Sequence, residues 1–407
     1  MSHPADARQV QGPGEGGFRR FSTRPRFLAL AAFLYAGDLK ADPRLGWIPV
    51  DLTLLTGAVL GGVLVLRLLH GARLVSLRGL GLVGLWFLSF VPGVFQAAAS
   101  DYTFQKVATL FTFTLLAALA PFLLVAAEDD VVKLMNALAY FCLAITLGAL
   151  LGGGFGDPAT QRLQAFGAGT ISLGRAAGLL FLYAASLLAL EAVFIPLTLG
   201  ALALAGIAAL SAGSRGPIVA ALAVLGVLFT LGRRPLAMAP LRLGLAAGLV
   251  GTLLAASLSL APQGSLRRME SFFHGQEGAS EAYRAQALGA SWRLLKQSPL
   301  GLGWGGFVTQ VDPEKGVGRQ YPHNLLAEVT LESGWLCGLA TTLVLAAAAA
   351  VAWSRSGGPG GSLAFAGLLF CGVNAMVSGD VNDNRPLFMF VTVALVLGDR
   401  PLARVRP

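Results

Sequence analysis

Lys106–Ala127 reads KVATLFTFTLLAALAPFLLVAA, 22 residues with a single charge at the first position. At about 1.5 Å of rise per residue, a helix of this length crosses a hydrocarbon core about 30 Å thick. Lipid offers the backbone no hydrogen-bond partner, so a spanning segment is either a helix or a strand of a closed barrel. Barrel strands alternate apolar and polar residues over short segments. This run does not alternate, and it is predicted to be a helix. Similar runs recur along the 407 residues, of which 55% are apolar and only 13% charged, whereas soluble domains carry about a quarter charged. The expectation is an all-α integral membrane protein with twelve transmembrane helices. They fall near 26–37, 48–69, 79–99, 106–127, 131–152, 171–190, 192–212, 217–232, 243–261, 334–353, 362–378 and 386–398, with Glu191 dividing the long run 171–212.

Charge fixes the expected orientation. Cytoplasmic loops hold the excess of Lys and Arg. One set of alternate segments carries Arg8, Arg19, Arg20, Arg24, Arg26, Arg67, Arg73, Arg78, Lys133, Arg233, Arg234, Arg242, Arg355, Arg400, Arg404 and Arg406, while the other, leaving aside the long loop 262–322, carries Lys40, Arg44, Lys106, Arg162, Arg175, Arg215 and Arg385; long loops translocate largely regardless of charge. Both termini are therefore expected in the cytoplasm. Residues 1–25 read as a disordered tail, 26–261 as helices one to nine, 262–333 as a large extracytoplasmic loop with amphipathic helices, 334–398 as helices ten to twelve, and 399–407 as a second tail. The net charge of +9 belongs mainly to the inner loops. It points to anionic lipid rather than nucleic acid. Cys142, Cys337 and Cys371 read as small buried hydrophobes. No Cys/His spacing suits a metal, so neither a metal nor a cofactor is expected.

Polar residues among membrane helices are functional candidates. Gly213–Pro217 (GSRGP) opens a helix with Pro217 in its first turn, so Arg215 lies beside free N–H groups that suit an anion; a snorkelling Arg at a capped turn is the alternative. In Ser280–Ser298, Arg284 shares a helical face with Leu288, Trp292 and Leu295, and Arg293 falls on the opposite face. A substrate phosphate, or a loop carboxylate such as Glu270 or Glu277, would pair Arg284. His323 and Asn324 open a helix where the long loop re-enters the membrane, and a neutral His can take a proton; a helix-start histidine bonded to backbone is the plain alternative. Glu328 and Glu332, one turn apart, either orient His323, bind sugar or form a solvated face, with the last favoured. Asp380, Asp383 and Arg385 share a short outer loop, as a local salt bridge or as support for a site. Gly301–Gly306 matches G-x-G-x-x-G without a preceding strand, so it reads as a tight external loop rather than a dinucleotide site.

Arg162–Gly167 (RLQAFG), Ser214–Gly216 (SRG), Pro299–Phe307 (PLGLGWGGF), His323-Asn324 with Gly334 ten residues after Asn324, and Asp380–Arg385 follow one another around one long loop. In this order they resemble the O-antigen ligase and polymerase superfamily of membrane glycosyltransferases. The resemblance implies a GT-C-like helical fold. It also implies metal-independent transfer of a glycan from a polyprenyl-diphosphate carrier to an acceptor hydroxyl on lipid A core, a growing polysaccharide or a protein, at the extracytoplasmic face of the cytoplasmic membrane. His323, Arg215 and Arg284 are the implied catalytic positions; Arg162, Asn324, Glu328, Asp380 and Arg385 are the implied substrate-binding ones. A transporter or lipid-linked oligosaccharide flippase, and a non-catalytic scaffold, are the competing classes.

Overall fold

The computed structural model describes residues 22–152, 162–189, 195–231, 279–311 and 321–399. Within them the chain is helical, with no strand beyond an isolated bridge between Ala165 and Ala168. The helices are α1 (Pro25–Leu39), α2 (Leu52–Leu69), α3 (Leu77–Phe95), α4 (Asp101–Leu124), α5 (Glu128–Leu151), α6 (Thr170–Ala189), α7 (Ile195–Ala212) and α8 (Arg215–Leu231), then α9 (Ala279–Gln297), α10 (Gly306–Val311), α11 (Leu325–Ser333), α12 (Trp335–Arg355), α13 (Pro359–Val377) and α14 (Arg385–Gly398). Short polar residues start them where the sequence supplies them. Asp51 accepts from the N–H groups of Thr53 and Leu54, Ser76 from Gly79, and Ser100 from Thr103, which satisfies amides that a helix start leaves open.

Eleven of the twelve expected spans coincide with a helix. Eight helices are long and apolar enough to cross a membrane among the described residues, while α1, α8 and α14 are shorter. The ninth expected span (243–261), the division at Glu191, the loop up to residue 278, Glu270 and Glu277, and the tails at 1–21 and 400–407 lie outside the described residues. Ser22 and Thr23, which close the expected N-terminal tail, lie against α5: Thr23 donates to the Lys133 carbonyl at 2.8 Å and Ser22 accepts from Asn136 at 2.8 Å.

The shortest apolar helix is the most enclosed. Every residue of α14 from Leu387 to Leu397 is buried, as expected for a helix apolar on all sides. It packs among α12, α13 and the second half of α4. Trp86 of α3 stacks on Phe388 with ring centroids 4.6 Å apart and donates to Thr341 of α12 at 2.9 Å. By contrast α2 turns Leu54, Val59, Val65 and Leu66 outward, a face suited to hydrocarbon.

The two ends of the bundle differ in chemistry. One gathers the start of α1 against α5, through Arg26 and Asp130 at 2.7 Å, and the ends of α12 and α14, through Arg355 and the Gly398 carbonyl at 2.7 Å. The other gathers the C-terminal ends of α1, α7 and α13 with the N-terminal ends of α4, α6, α8 and α14 around two cavities. Antiparallel alternation of consecutive helices produces this grouping. We expect Ala98→Cys, at the cavity end, to react with an impermeant thiol reagent added outside intact cells. Ala72→Cys and Gly357→Cys, at the opposite end, should react only after permeabilisation. Labelling of both sets from the same side would overturn the orientation.

Candidate functional site

The first cavity grows from the turn between α7 and α8. Gly213 (φ 60°) lets the chain reverse after Ala212, and α8 begins two residues later. The carbonyl end of α7 and the amide end of α8 therefore stand side by side. Left alone, those carbonyls would oppose an anion. Arg162 covers them. Its Nε and Nη2 donate to the Ala212 carbonyl at 3.2 and 3.1 Å, and Nη2 also donates to the Thr170 hydroxyl at 2.7 Å. Arg215 stands at the start of α8 and Arg284 reaches in from α9. Arg162, Arg215, Arg284 and Ser214 line one cavity of about 100 Å3, with no carboxylate among its described lining residues. The sequence names all three arginines; the structure brings them together.

The phase of α9 differs from the sequence reading. Ala287, Ser291 and Leu295 form the buried stripe, with Arg284 half-buried at its start. Trp292 is 50% exposed and leans toward Trp335, ring centroids 6.1 Å apart. The i, i+3, i+4 series from Arg284 runs through Ala287 rather than Leu288, so the large side chain sits at the edge. Arg293 is exposed as expected.

His323 lies just before α11 in the left-handed region (φ 57°), uncommon for a residue with a Cβ. Its ring lies 4.4 Å from that of Tyr321 and 5.8 Å from that of Tyr283, the neighbour of Arg284. Asn324 fixes this conformation. Its Oδ1 accepts from the Ala327 N–H at 2.9 Å and its Nδ2 donates to the Met376 carbonyl of α13 at 3.1 Å. The Asn324 side chain is thus a helix cap and a tether. Nδ1 of His323 is buried with no hydrogen-bond partner among the described residues. Burial, and then the nearby Arg284 charge, depress the His323 pKa to about 4, so the imidazole is neutral at pH 7.

Glu328 and Glu332 correct the sequence reading most sharply. They are fully buried, not a solvated face. Lys106 Nζ lies 2.6 Å from Glu328 Oε1 and 2.6 Å from Glu332 Oε2. Its ammonium also lies 5.6 Å from the Trp304 ring centroid and 5.8 Å from that of Tyr102. Burial raises the Glu328 pKa against the pull of Lys106, and the Asp380 and Glu332 charges raise it further. Trp304 belongs to the glycine loop, which docks on the end of α3. Its indole N–H donates to the Phe90 carbonyl at 2.9 Å, and Gly303 (φ 80°) lies so close to Gln96 that a Cβ would come within 2.2 Å of that carbonyl.

The 379–385 loop packs onto the same cluster. Asp380 caps a turn at Val381–Asn384, accepting from the N–H groups of Asn382 and Asp383, both at 2.9 Å. Asn382 donates to the Lys106 carbonyl at 3.0 Å and accepts from Thr114 at 2.7 Å; Thr114 closes a π-helical turn (Leu110–Thr114) within α4. Arg385 donates to the Asn382 carbonyl at 3.1 Å, its guanidinium 5.7 Å from the ring centroids of both Phe33 and Phe113. Arg175, read from sequence only as an outer charge, donates to the Ser378 carbonyl at 2.7 Å and to Asn384 at 3.2 Å. Below this loop lies a second cavity of about 760 Å3, which meets the arginine cavity at Ile171 and Ser378. Among the described residues no cluster of three or more His, Cys, Asp or Glu could hold a metal ion.

Residues 200–343 match the O-antigen ligase family, which supports the O-antigen ligase and polymerase superfamily for this multi-pass, helical chain. The matched stretch contains Arg215, Arg284, His323, Asn324, Glu328 and Glu332; Lys106, Arg162 and the 379–385 loop lie outside it. No curated protein matches the chain.

The ion cluster generates a stability test. Removing the cation alone leaves two buried carboxylates facing each other, which costs roughly 3–5 kcal/mol, whereas replacing a whole buried cluster by neutral groups is often tolerated. Lys106→Met should therefore lower the unfolding temperature in detergent well below that of the triple variant Lys106→Met/Glu328→Gln/Glu332→Gln. Equal unfolding temperatures would mean that the charges do not hold α11 in place.

Proposed function

We propose that the protein transfers a glycan from a polyprenyl-diphosphate carrier to an acceptor hydroxyl at the extracytoplasmic face of the cytoplasmic membrane, as a ligase or polymerase does. One observation carries this reading: three arginines from separate parts of the chain line a single cavity, and a neutral histidine stands beside one of them. Such a cavity suits a diphosphate, which arginine meets with planar, charge-assisted hydrogen bonds. In this reading the acceptor oxygen attacks the anomeric carbon while His323 takes its proton. The bond from that carbon to the diphosphate oxygen breaks, and the diphosphate leaves with the electron pair. Arg215, Arg284 and the amide end of α8 offset the charge that grows on it. Arg162 keeps the field of the cavity positive by covering the α7 carbonyls. Asn324, Glu328, Asp380 and Arg385 act as positioning residues: the first two hold α11, and the last two hold the neighbouring loop.

Reconstituted transfer with a lipid-linked donor and an acceptor tests the proposal. His323→Ala should bind the donor yet lose roughly 10²–10⁴-fold in turnover, as expected on removal of a general base. Arg284→Ala should cut transfer strongly and Arg293→Ala hardly at all. Arg215→Lys should keep the fold and weaken donor use, because an ammonium lacks the guanidinium fork. Near wild-type transfer by His323→Gln would move the proton elsewhere and sink the assignment. The pH profile adds a separate check. A His323 pKa near 4 keeps the base form available throughout the neutral range, so the acid limb of kcat/KM should fall near pH 4, not near the usual histidine value of about 6.5.

A further inference from the structure

The arginine cavity is small, and the larger one beside it has a different chemistry. The chamber of about 760 Å3 falls in the usual range of about 300–1,000 Å3 for ligand sites. Its walls come from the cavity ends of α1, α4, α6 and α13 and from the 379–387 segment. An isoprenoid tail calls for apolar walls throughout, whereas these walls mix polar and apolar surface in similar amounts. Four lining residues carry buried polar atoms with no hydrogen-bond partner among the described residues: Tyr102 Oη, Arg175 Nε, Asn374 Oδ1 and Ser378 Oγ. Asn374 and Ser378 are 2% and 4% exposed, so neither meets bulk water. Buried polar atoms left unmet are costly and rare in folded proteins. Together these four supply one N–H donor, one carbonyl acceptor and two hydroxyls able to do both. That set suits vicinal hydroxyl groups.

Placement points the same way. Tyr321 lines the chamber and its ring lies 4.4 Å from the His323 ring. Ser378 and Ile171 line both cavities. A ligand filling the chamber thus meets Tyr321, which packs against His323, at one edge and the arginine cavity at another. We infer that the chamber is a glycan subsite, separate from the arginine cavity, which holds a short run of sugar residues through their hydroxyls, with Tyr102 and Asn374 as specificity-determining contacts. The inference deepens the transferase reading and rests on it for the class of ligand. Two sources share this chemistry, the glycan of the donor and the glycan of the acceptor.

The test separates the sources and separates the two readings. The purified full chain in nanodiscs is titrated with three probes. One is the oligosaccharide freed by mild acid from the lipid-diphosphate pool of the producing cells. The second is the oligosaccharide freed from their lipid-linked acceptor. The third is inorganic diphosphate. At least one oligosaccharide should bind, and the one that does identifies the source. Tyr102→Phe and Asn374→Ala should each weaken that binding about fivefold, the loss expected for one hydrogen bond, while leaving diphosphate affinity unchanged. Tyr102→Phe removes only a buried hydroxyl without a partner, so the fold should tolerate it. Arg284→Ala should do the reverse, weakening diphosphate and sparing the glycan. Failure of both oligosaccharides to bind, or binding unaltered in Tyr102→Phe and Asn374→Ala, overturns the inference. Oligosaccharide binding by a protein that shows no transfer supports the subsite and removes the transferase reading. Transfer with unchanged KM in both variants supports the transferase reading and removes the subsite.

Discussion

The contact between Lys106 and the two carboxylates Glu328 and Glu332 is the joint on which the cavity end depends. It spans more than 220 positions of sequence. Desolvating three charges is expensive, and a buried ion cluster is a poor route to net stability. Its value is geometric. Two carboxylates one turn apart on α11 meet a single ammonium near the start of α4. Rotating α11 by one residue would separate both pairs, so the cluster fixes the register of α11. That register sets where Asn324 caps the helix and tethers it to α13, and the cap sets the left-handed turn of His323. Trp304 covers the same ammonium and Asn382 bonds the same residue's carbonyl. The glycine loop and the 379–385 loop are thus tied to the one centre.

Around that joint the charges are sorted. Carboxylates gather at the cluster and along the larger chamber, where Asp38, Asp380 and Asp383 lie; the described lining of the arginine cavity has none. Helix ends complete the sorting. The α7–α8 turn would present carbonyls and amides to the same space, two partial charges of opposite sign. Arg162 spends its hydrogen bonds on the carbonyls, and the amide end of α8 then dominates.

The sequence revealed the helices because lipid makes a span continuous and apolar, a pattern visible in any window of about twenty residues. It also singled out Arg215, Arg284 and His323 as candidates, because each sits at a helix boundary or on a helical face with a local signature. What stayed hidden was pairing between distant segments. A lysine at the head of a span reads as a topology marker, and a Glu pair one turn apart reads as a solvated face. Neither residue carries a local sign that the other neutralises it. Arg175 was hidden in the same way, since the carbonyls it binds lie about two hundred residues away. The phase of α9 was misread for another reason. Periodicity ranks Trp292 as a core residue by size, yet the buried stripe of α9 runs through Ala287, Ser291 and Leu295, one position out of phase with it.

The position of the polar groups also bears on how such a molecule could work in a membrane. A transporter places its polar site near the midplane, between repeated halves that rock around it. Here both cavities are built from helix ends and loops at one end of the bundle, while α14 fills the centre with eleven consecutive buried residues. A phosphate held at the bundle end keeps part of its hydration, and a carrier's apolar tail can remain in the lipid alongside. A phosphate carried through the centre would have to displace packed Phe, Leu and Val side chains and lose its hydration without compensation. The division between a filled core and a polar end therefore favours chemistry at the membrane surface over passage through it.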